Sequence, residues 1–213
     1  DLEDQVETLQ DPDEIERKIS LLAAPAFAEW KKSKINLIDA PGYANFLSEA
    51  RAALRVVDAA LVVVDAVAGV EVQTEKVWAF AEEYGLARLV VVNRMDRDNA
   101  SYERALENIQ AAFGRAAVPL AVPVGEGKAF RGIVDLLSEK AQMYGDDASG
   151  KFQVVDVPPA QQETAKSWRE KLVEMVAESN EELMEEFFEL GALRDAQIAI
   201  GMGSGGGGGR LDA

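Results

Sequence analysis

The sequence has 213 residues and a formal net charge of −16, from 22 basic and 38 acidic side chains, which argues against binding to a phosphate backbone and predicts no direct contact with DNA. It contains neither cysteine nor histidine, so disulfides and thiolate metal sites are excluded, and any general base must be a carboxylate, a water molecule or a group outside the chain. Its apolar runs are too short to cross a bilayer and no signal peptide opens it, so we expect a cytoplasmic protein with no membrane partner.

The first predicted elements are an acidic segment and a β-hairpin. Residues 1–14 are acidic and lack periodicity, which predicts a mobile segment or the remnant of a longer one. Two extended runs, residues 24–30 and 34–39, flank a short polar turn and predict a hairpin. The sheet is therefore expected to be mixed rather than purely parallel.

Strands and helices alternate in the next part of the chain. The predicted elements are a helix over 46–57, a strand over 59–64, a helix over 70–84 ended by Gly85, a strand over 89–92, and a helix over 101–113 capped by Ser101 and stopped by Gly114. Alternation of elements of this length predicts an α/β fold in which helices are wound around a sheet.

The pattern changes near residue 118, which predicts a small α+β subdomain. Short strands are predicted over 118–124, 130–136, 140–144 and 152–157, then a long helix opened by Pro158 and Pro159, and a further helix capped by Asn180 and closed by Gly191. The predicted segments are a partly disordered one over 1–19, a core domain over 20–122, an insert subdomain over 123–195 and a disordered Gly-rich tail over 196–213.

Two strand ends carry the residues with chemical potential. The first strand ends in Asp39, Ala40, Pro41 and Gly42. A carboxylate in such a turn can reach a metal ion through water, and a glycine lets its N–H approach a phosphate oxygen. The second strand ends in Asn93, Arg94, Met95 and Asp96. Each motif alone is more often a structural turn, but both in this order, with a strand and a helix between them, favour a GTPase.

With these motifs, the chain resembles the GTP-binding domain of bacterial elongation factor G, a translational GTPase, over about residues 12–195. The stretches that carry the resemblance are residues 35–43, 65–75, 91–97 and 130–136, of which the last resembles the start of an insert in that domain. The resemblance implies a P-loop-NTPase-like mixed sheet with a small α+β insert, binding of GTP or GDP with Mg²⁺, and hydrolysis coupled to translocation on the ribosome. It also implies a contact with the ribosomal stalk protein.

The resemblance also assigns roles to residues. Asp39 would hold Mg²⁺ through water, Ser20 falls where the family has a threonine that ligates Mg²⁺, and the Gly42 N–H would sense the γ-phosphate. Asp96 would accept hydrogen bonds from the guanine N1–H and 2-amino groups, and Asn93 would brace the base-binding loop and contact the base. Adenine has no 2-amino donor and an acceptor at N1, so it would leave the carboxylate unpaired.

Four departures from the family pattern qualify these roles. The phosphate-binding loop, which the family places upstream of everything present here, is missing, so we expect this chain alone to bind nucleotide poorly and to be inactive. Tyr43 stands where hydrolysing members carry a histidine that positions the attacking water, and Arg94 replaces the usual lysine. The Ser-Ala loop that closes over guanine is not found. The pattern favours a second-type, elongation factor G-like paralogue and makes hydrolysis an open question.

Other functions stay open at this point. A non-hydrolysing nucleotide-binding or scaffolding module, an inactive fragment, and a ribosomal-protection or release-type translational GTPase are the alternatives. The acidic residues between 178 and 189 are interpreted as a solvated helix face, with a docking surface for a basic or helical partner as the other possibility.

Overall fold

The computed structural model describes residues 11–30, 32–145, 150–178 and 181–190. The predictions for residues 1–10, the Asn180 cap, the Gly191 stop and the Gly-rich tail lie outside these ranges. Over the ranges described, the helices are all too short or too polar to span a membrane. The chain divides into two compact units, the first comprising Asp1–Val62 and Val72–Leu89 and the second Val63–Glu71 and Val90–Ala213.

The first element that the structure describes is a short helix, so the prediction of a mobile segment is wrong over residues 12–14. Helix α1 spans Pro12–Arg17 and begins with a capping box, in which the Asp11 side chain accepts from the Asp13 N–H and the Glu14 side chain accepts from the Asp11 N–H. Strands β1 (Ala24–Trp30) and β2 (Ser33–Asp39) then form an antiparallel hairpin in which Ala24 faces Asp39. The predicted hairpin is confirmed.

A single 3₁₀ turn, Ala44–Phe46, leads into helix α2 (Leu47–Ala53), which is shorter than the predicted 46–57. It ends early because the next turns close with i→i+3 bonds, from the Arg55 N–H to the Ala52 carbonyl and from the Val56 N–H to the Ala53 carbonyl.

A β–α–β segment follows, and the two units share its strands. It consists of β3 (Ala59–Asp65), α3 (Val72–Glu83) and β4 (Ala87–Asn93), with β3 and β4 hydrogen-bonded as a two-stranded sheet. Gly85 follows α3 with φ +66°, as predicted for its stop. Strand β3 alternates between buried residues such as Val64 and exposed ones such as Leu61 and Val63. Within the described ranges, the apolar residues on its exposed side have no cover.

The second unit contains helix α4 (Tyr102–Phe113), whose predicted ends are confirmed. The Ser101 side chain accepts from the Arg104 N–H, and Gly114 ends the helix with φ +97°. Strands β5 (Ala121–Val124), β6 (Gly132–Asp135), β7 (Lys140–Tyr144) and β8 (Phe152–Asp156) form an antiparallel sheet in that order. The overall class is the mixed α/β fold that the sequence predicted.

Two helices cover this four-stranded sheet and complete its core. They are α5 (Gln162–Glu178), preceded by a 3₁₀ turn at Pro159–Gln161, and α6 (Glu181–Leu190). Val134 of β6 and Leu172 of α5 are fully buried in one cluster, and the Arg169 guanidinium donates to the carbonyls of Leu136 and Leu137. The predicted subdomain boundary near 118–127 spans β5 and stays a prediction.

Lys18 closes α1 in the left-handed region, with φ 54° and ψ 44°, and its side chain is exposed. A residue with a Cβ costs about 1 kcal/mol there, whereas glycine adopts this conformation freely. We expect Lys18→Gly to raise the free energy of unfolding by about 0.5–1 kcal/mol in urea denaturation. Lys18→Ala keeps the Cβ and is the matched control; equal stabilisation by alanine would show that charge, not backbone strain, is responsible.

Candidate functional site

The first predicted motif lies immediately after the hairpin. Asp39 is the last residue of β2 and is half-buried, Pro41 is buried, and Gly42 is exposed. A Cβ built on Gly42 would meet no atom within 4 Å, so the packing of this chain does not require glycine there. What glycine provides at Gly42 is open space beside the backbone N–H, which suits close approach by a ligand oxygen.

The structure brings two of the predicted metal-binding residues together. The Ser20 hydroxyl, 19 residues upstream, donates a 3.0 Å hydrogen bond to Asp39 Oδ2. A carboxylate and a hydroxyl are both hard oxygen donors, which Mg²⁺ prefers, and Mg²⁺ commonly fills its remaining positions with water and phosphate oxygens. Among the residues that the structure describes, no group of three or more acidic side chains could hold a metal ion. Ser20 and Asp39 therefore fit a Mg²⁺ site that water and a ligand complete.

A buried carboxylate fixes the segment that carries Ser20. Glu14 is only 3% exposed, and its Oε1 accepts from the N–H groups of Leu21 and Leu22 at 2.7 and 3.0 Å. Its Oε2 accepts from the Asp11 N–H at 3.1 Å. A buried charge is stable only when it is hydrogen-bonded, and these three donors meet that need. Glu14 thereby ties α1 to the two residues that follow Ser20.

Tyr43 follows Gly42 and is 57% exposed. It starts the 3₁₀ turn without a side-chain capping bond. The hydroxyl of Tyr43 is therefore available to solvent or to a ligand. Ala40 is half-buried and contributes only its backbone to this turn.

The second predicted motif lies at the end of β4. Asn93 closes the strand, Met95 is buried, and Asn93, Arg94 and Asp96 are exposed. The Asn93 side chain accepts a 2.8 Å hydrogen bond from the Arg94 N–H, and Arg94 has φ +61°. This bend buries Met95 and leaves the Asp96 carboxylate in solvent, where a ligand can reach it.

Asp65, which the sequence reasoning did not assign, holds this second motif. Its Oδ2 accepts from the Arg94 guanidinium at 2.9 Å, and its Oδ1 accepts from the Val67 N–H at 2.8 Å. Hydrogen bonding by Arg94, with the backbone bonds second, lowers the pKa of Asp65 to about 2. Because its pKa is lowered in the folded chain, the ionised Asp65 carboxylate stabilises the fold at pH values above its ordinary pKa of 3.8. This contribution is lost as the pH falls toward 2. Its place at a strand end, like that of Asp39, was the available signal.

The predicted residues fall in two sets. Ser20 and the turn from Asp39 to Tyr43 belong to the first unit, and Asn93 to Asp96 belong to the second. Within each set the structure supplies the contacts described above.

The chain is similar to known proteins over most of its length. Residues 2–203 match the family model of the elongation factor Tu GTP binding domain. The chain is also similar to a crystal structure of a protein from Thermus thermophilus, with a TM-score of 0.81 and 32% identity over 91% of this chain and 29% of that one. The chain thus spans less than a third of the length of that protein.

Proposed function

Because the chain belongs to the family of elongation factor Tu GTP-binding domains, we propose that it serves as the guanine-nucleotide-binding domain of an elongation factor G-like translational GTPase. In that role it acts with the ribosome in the cytoplasm and, in the complete protein, couples GTP hydrolysis to translocation. The observation that carries the proposal is the exposed Asp96 carboxylate, presented by a strand-end loop whose other residues are fixed.

Guanine selection follows from the chemistry of that carboxylate. Asp96 offers only acceptors, and the guanine edge offers two adjacent donors, the N1–H and the 2-amino group. Adenine presents an acceptor at N1, so it would desolvate the carboxylate without replacing its hydrogen bonds to water. The exposed stem of Arg94 can lie along the face of the base, as the lysine at this place would.

Phosphate and metal binding are proposed for the first set of residues. Asp39 would hold Mg²⁺ through water, Ser20 would ligate it directly, and the Gly42 N–H would meet the γ-phosphate. Bound Mg²⁺ would neutralise charge that develops on the phosphate oxygens. To ligate the metal, the Ser20 hydroxyl would give up its present hydrogen bond to Asp39.

Tyr43 supports a second candidate, a nucleotide-binding module without turnover. A phenol hydroxyl can orient a water molecule, but it differs in length and charge from the imidazole that hydrolysing members use. Single-turnover phosphate release with ribosomes separates the two functions, because a module binds GTP and releases no phosphate.

Contact with the ribosomal stalk protein is proposed for the acidic α6 helix. Its first turn carries Glu181 and Glu182, and Glu185 follows. Reversal of the charges at 182 and 185 should weaken stalk-dependent stimulation of activity; unchanged stimulation would contradict this contact.

Asp96→Asn tests the main proposal by changing which base fits. Asparagine presents one acceptor and one donor, which match xanthine, whose N1–H donates and whose 2-oxygen accepts. In a fluorescent-GDP titration with Mg²⁺, we expect Asp96→Asn to weaken GDP binding on the order of 100-fold or more and to favour xanthosine diphosphate. ATP should displace fluorescent GDP from neither the wild-type protein nor the variant.

Asp98→Asn is the matched control, since Asp98 lies two residues away and is 75% exposed. It should leave nucleotide preference unchanged. The same titration belongs on a chain extended upstream to include a phosphate-binding loop. GDP binding that appears only in the extended chain would show that the domain needs the loop. The proposal would be overturned if Asp96→Asn did not shift the preference toward xanthosine diphosphate, or if neither chain bound GDP.

A further inference from the structure

The ion pair between Asp65 and Arg94 points beyond the residues that contact nucleotide. We propose that Asp65 is a positioning residue for guanine recognition, which acts through Arg94 on the loop that presents Asp96. The inference deepens the proposed function and rests on it. Asp65 would touch neither base nor phosphate in this role.

Asp65 is well suited to act as a fixed anchor. Its Oδ1 accepts from the Val67 and Ala68 N–H groups at 2.8 and 3.2 Å, and its carbonyl accepts from the Gly69 N–H at 2.8 Å. Its side chain is 19% exposed, whereas that of Arg94 is 52% exposed. The carboxylate is therefore held by its own turn before Arg94 reaches it, and Oδ2 remains for the guanidinium.

The loop needs such an anchor because its backbone is strained. Arg94 has φ +61°, a region that costs a residue with a Cβ about 1 kcal/mol. Such a conformation persists only where its surroundings fix it. Besides the Asn93 side chain, the Ala66 N–H donates to the Asn93 carbonyl at 2.9 Å and the Gly127 N–H donates to the Met95 carbonyl at 2.8 Å. To these contacts the Asp65–Arg94 pair adds one between two charged groups.

The anchor and the loop are also joined by packing. Ala66, next to Asp65, forms a small buried cluster with Met95 and Ala100. A change in the position of Asp65 is therefore transmitted to the residue that precedes Asp96. Arg97 lies at 3.9 Å from the same Oδ2, so a second guanidinium on the loop faces the anchor.

Arginine at 94 is explained by this contact. A guanidinium carries several donors in a planar fork and reaches further than an ammonium, so one donor can bind Asp65 while the aliphatic stem lies free. A lysine has a single ammonium group, so its stem could not lie extended along the base while the ammonium binds the Asp65 carboxylate. Arg94→Lys should accordingly behave as a loss of the anchor and not as a neutral exchange.

The competing interpretation is that Asp65 serves only its own turn at residues 65–69. Asp65→Asn separates the two interpretations, because an asparagine oxygen still accepts from the Val67 and Ala68 N–H groups but carries no charge for Arg94. Asp98→Asn, which removes an equally charged and more exposed carboxylate from the same unit, is the matched control.

Two measurements on the full chain test the proposal. Amide hydrogen exchange at Arg97 and Gly127, whose N–H groups donate to the carbonyls of Arg94 and Met95, should become on the order of 5- to 10-fold faster in Asp65→Asn and in Arg94→Lys, and should stay unchanged in Asp98→Asn. Fluorescent-GDP binding should weaken by a similar factor in both variants. The double variant should be no worse than Asp65→Asn alone, because Asp65→Asn already removes the contact that Arg94→Lys disrupts, together with that of Arg97.

The outcomes are distinct. Unchanged exchange at Arg97 and Gly127 in Asp65→Asn, whatever happens to stability, would overturn the positioning role and leave the turn interpretation. Faster exchange without weaker GDP binding would also overturn it, since the loop would then move without effect on recognition. If the wild-type chain and an upstream-extended chain both fail to bind nucleotide, the proposed function fails, and the exchange rates still decide whether Asp65 positions the loop.

Discussion

Glu14→Ala is expected to lower the free energy of unfolding by about 3–5 kcal/mol. Glu14 is almost completely buried and its carboxylate accepts three backbone N–H bonds, from Asp11, Leu21 and Leu22. Truncation leaves those donors unsatisfied and opens a cavity, and hydrogen bonds to charged groups contribute about 1.5–3 kcal/mol each. Urea denaturation followed by circular dichroism measures the change.

The neighbouring Glu16 provides the control for this prediction. It lies on the same helix and is exposed, so Glu16→Ala should change stability by less than about 0.5 kcal/mol. Glu14→Gln should fall between the two, because its amide oxygen still accepts from Leu21 and Leu22 while its amino group opposes the Asp11 N–H. A glutamine variant as unstable as alanine would contradict the hydrogen-bond explanation.

The second large effect is expected at Gly125, in the loop between β5 and β6. Its φ is +80°, and a Cβ there would overlap the backbone carbonyl oxygen of Ala129. Gly125→Ala therefore combines left-handed strain with a backbone clash, and we expect it to cost about 2–5 kcal/mol in thermal or urea unfolding. The same loop carries Gly127, whose N–H donates to the Met95 carbonyl, so amide exchange at Gly127 should accelerate as well.

Gly114→Ala separates the two causes. Gly114 also has a positive φ, at +97°, but a Cβ on it would meet nothing within 4 Å. Gly114→Ala should lower the free energy of unfolding only by the cost of the left-handed backbone, about 1 kcal/mol. If Gly125→Ala lowered the free energy of unfolding no more than Gly114→Ala, the loop would have adapted and the clash with Ala129 would contribute nothing measurable.

Elements fixed by nearby residues could be predicted from the sequence. The hairpin from Ala24 to Asp39 follows from two apolar runs and a short turn, and the ends of α4 follow from Ser101 and Gly114. The turn of the hairpin and each end of the helix depend on a few neighbouring residues, and local patterns record such contacts. Helix α1 was not predicted because it has only six residues, too few to show a periodic pattern.

The contacts that position the candidate site could not be predicted in the same way. Asp65 and Arg94 are 29 residues apart, and Ser20 and Asp39 are 19 apart. Composition and periodicity carry no information about which side chains meet across such distances. The sequence predicted candidate ligand-binding residues, because strand-end chemistry is local, and missed the residues that hold them in place, because those contacts form only in the folded chain.

The uncovered apolar side of β3 also bears on how this chain behaves in solution. Leu61 and Val63 are 58% and 56% exposed, although the molecule carries a net charge of −16. Apolar attraction between two such strands acts only at contact, whereas charge repulsion reaches about 10 Å at an ionic strength of about 0.1 M and shortens as salt is added. Repulsion thus keeps copies of the chain apart before their apolar sides can meet. We therefore expect added salt to favour association of the chain through this side of β3.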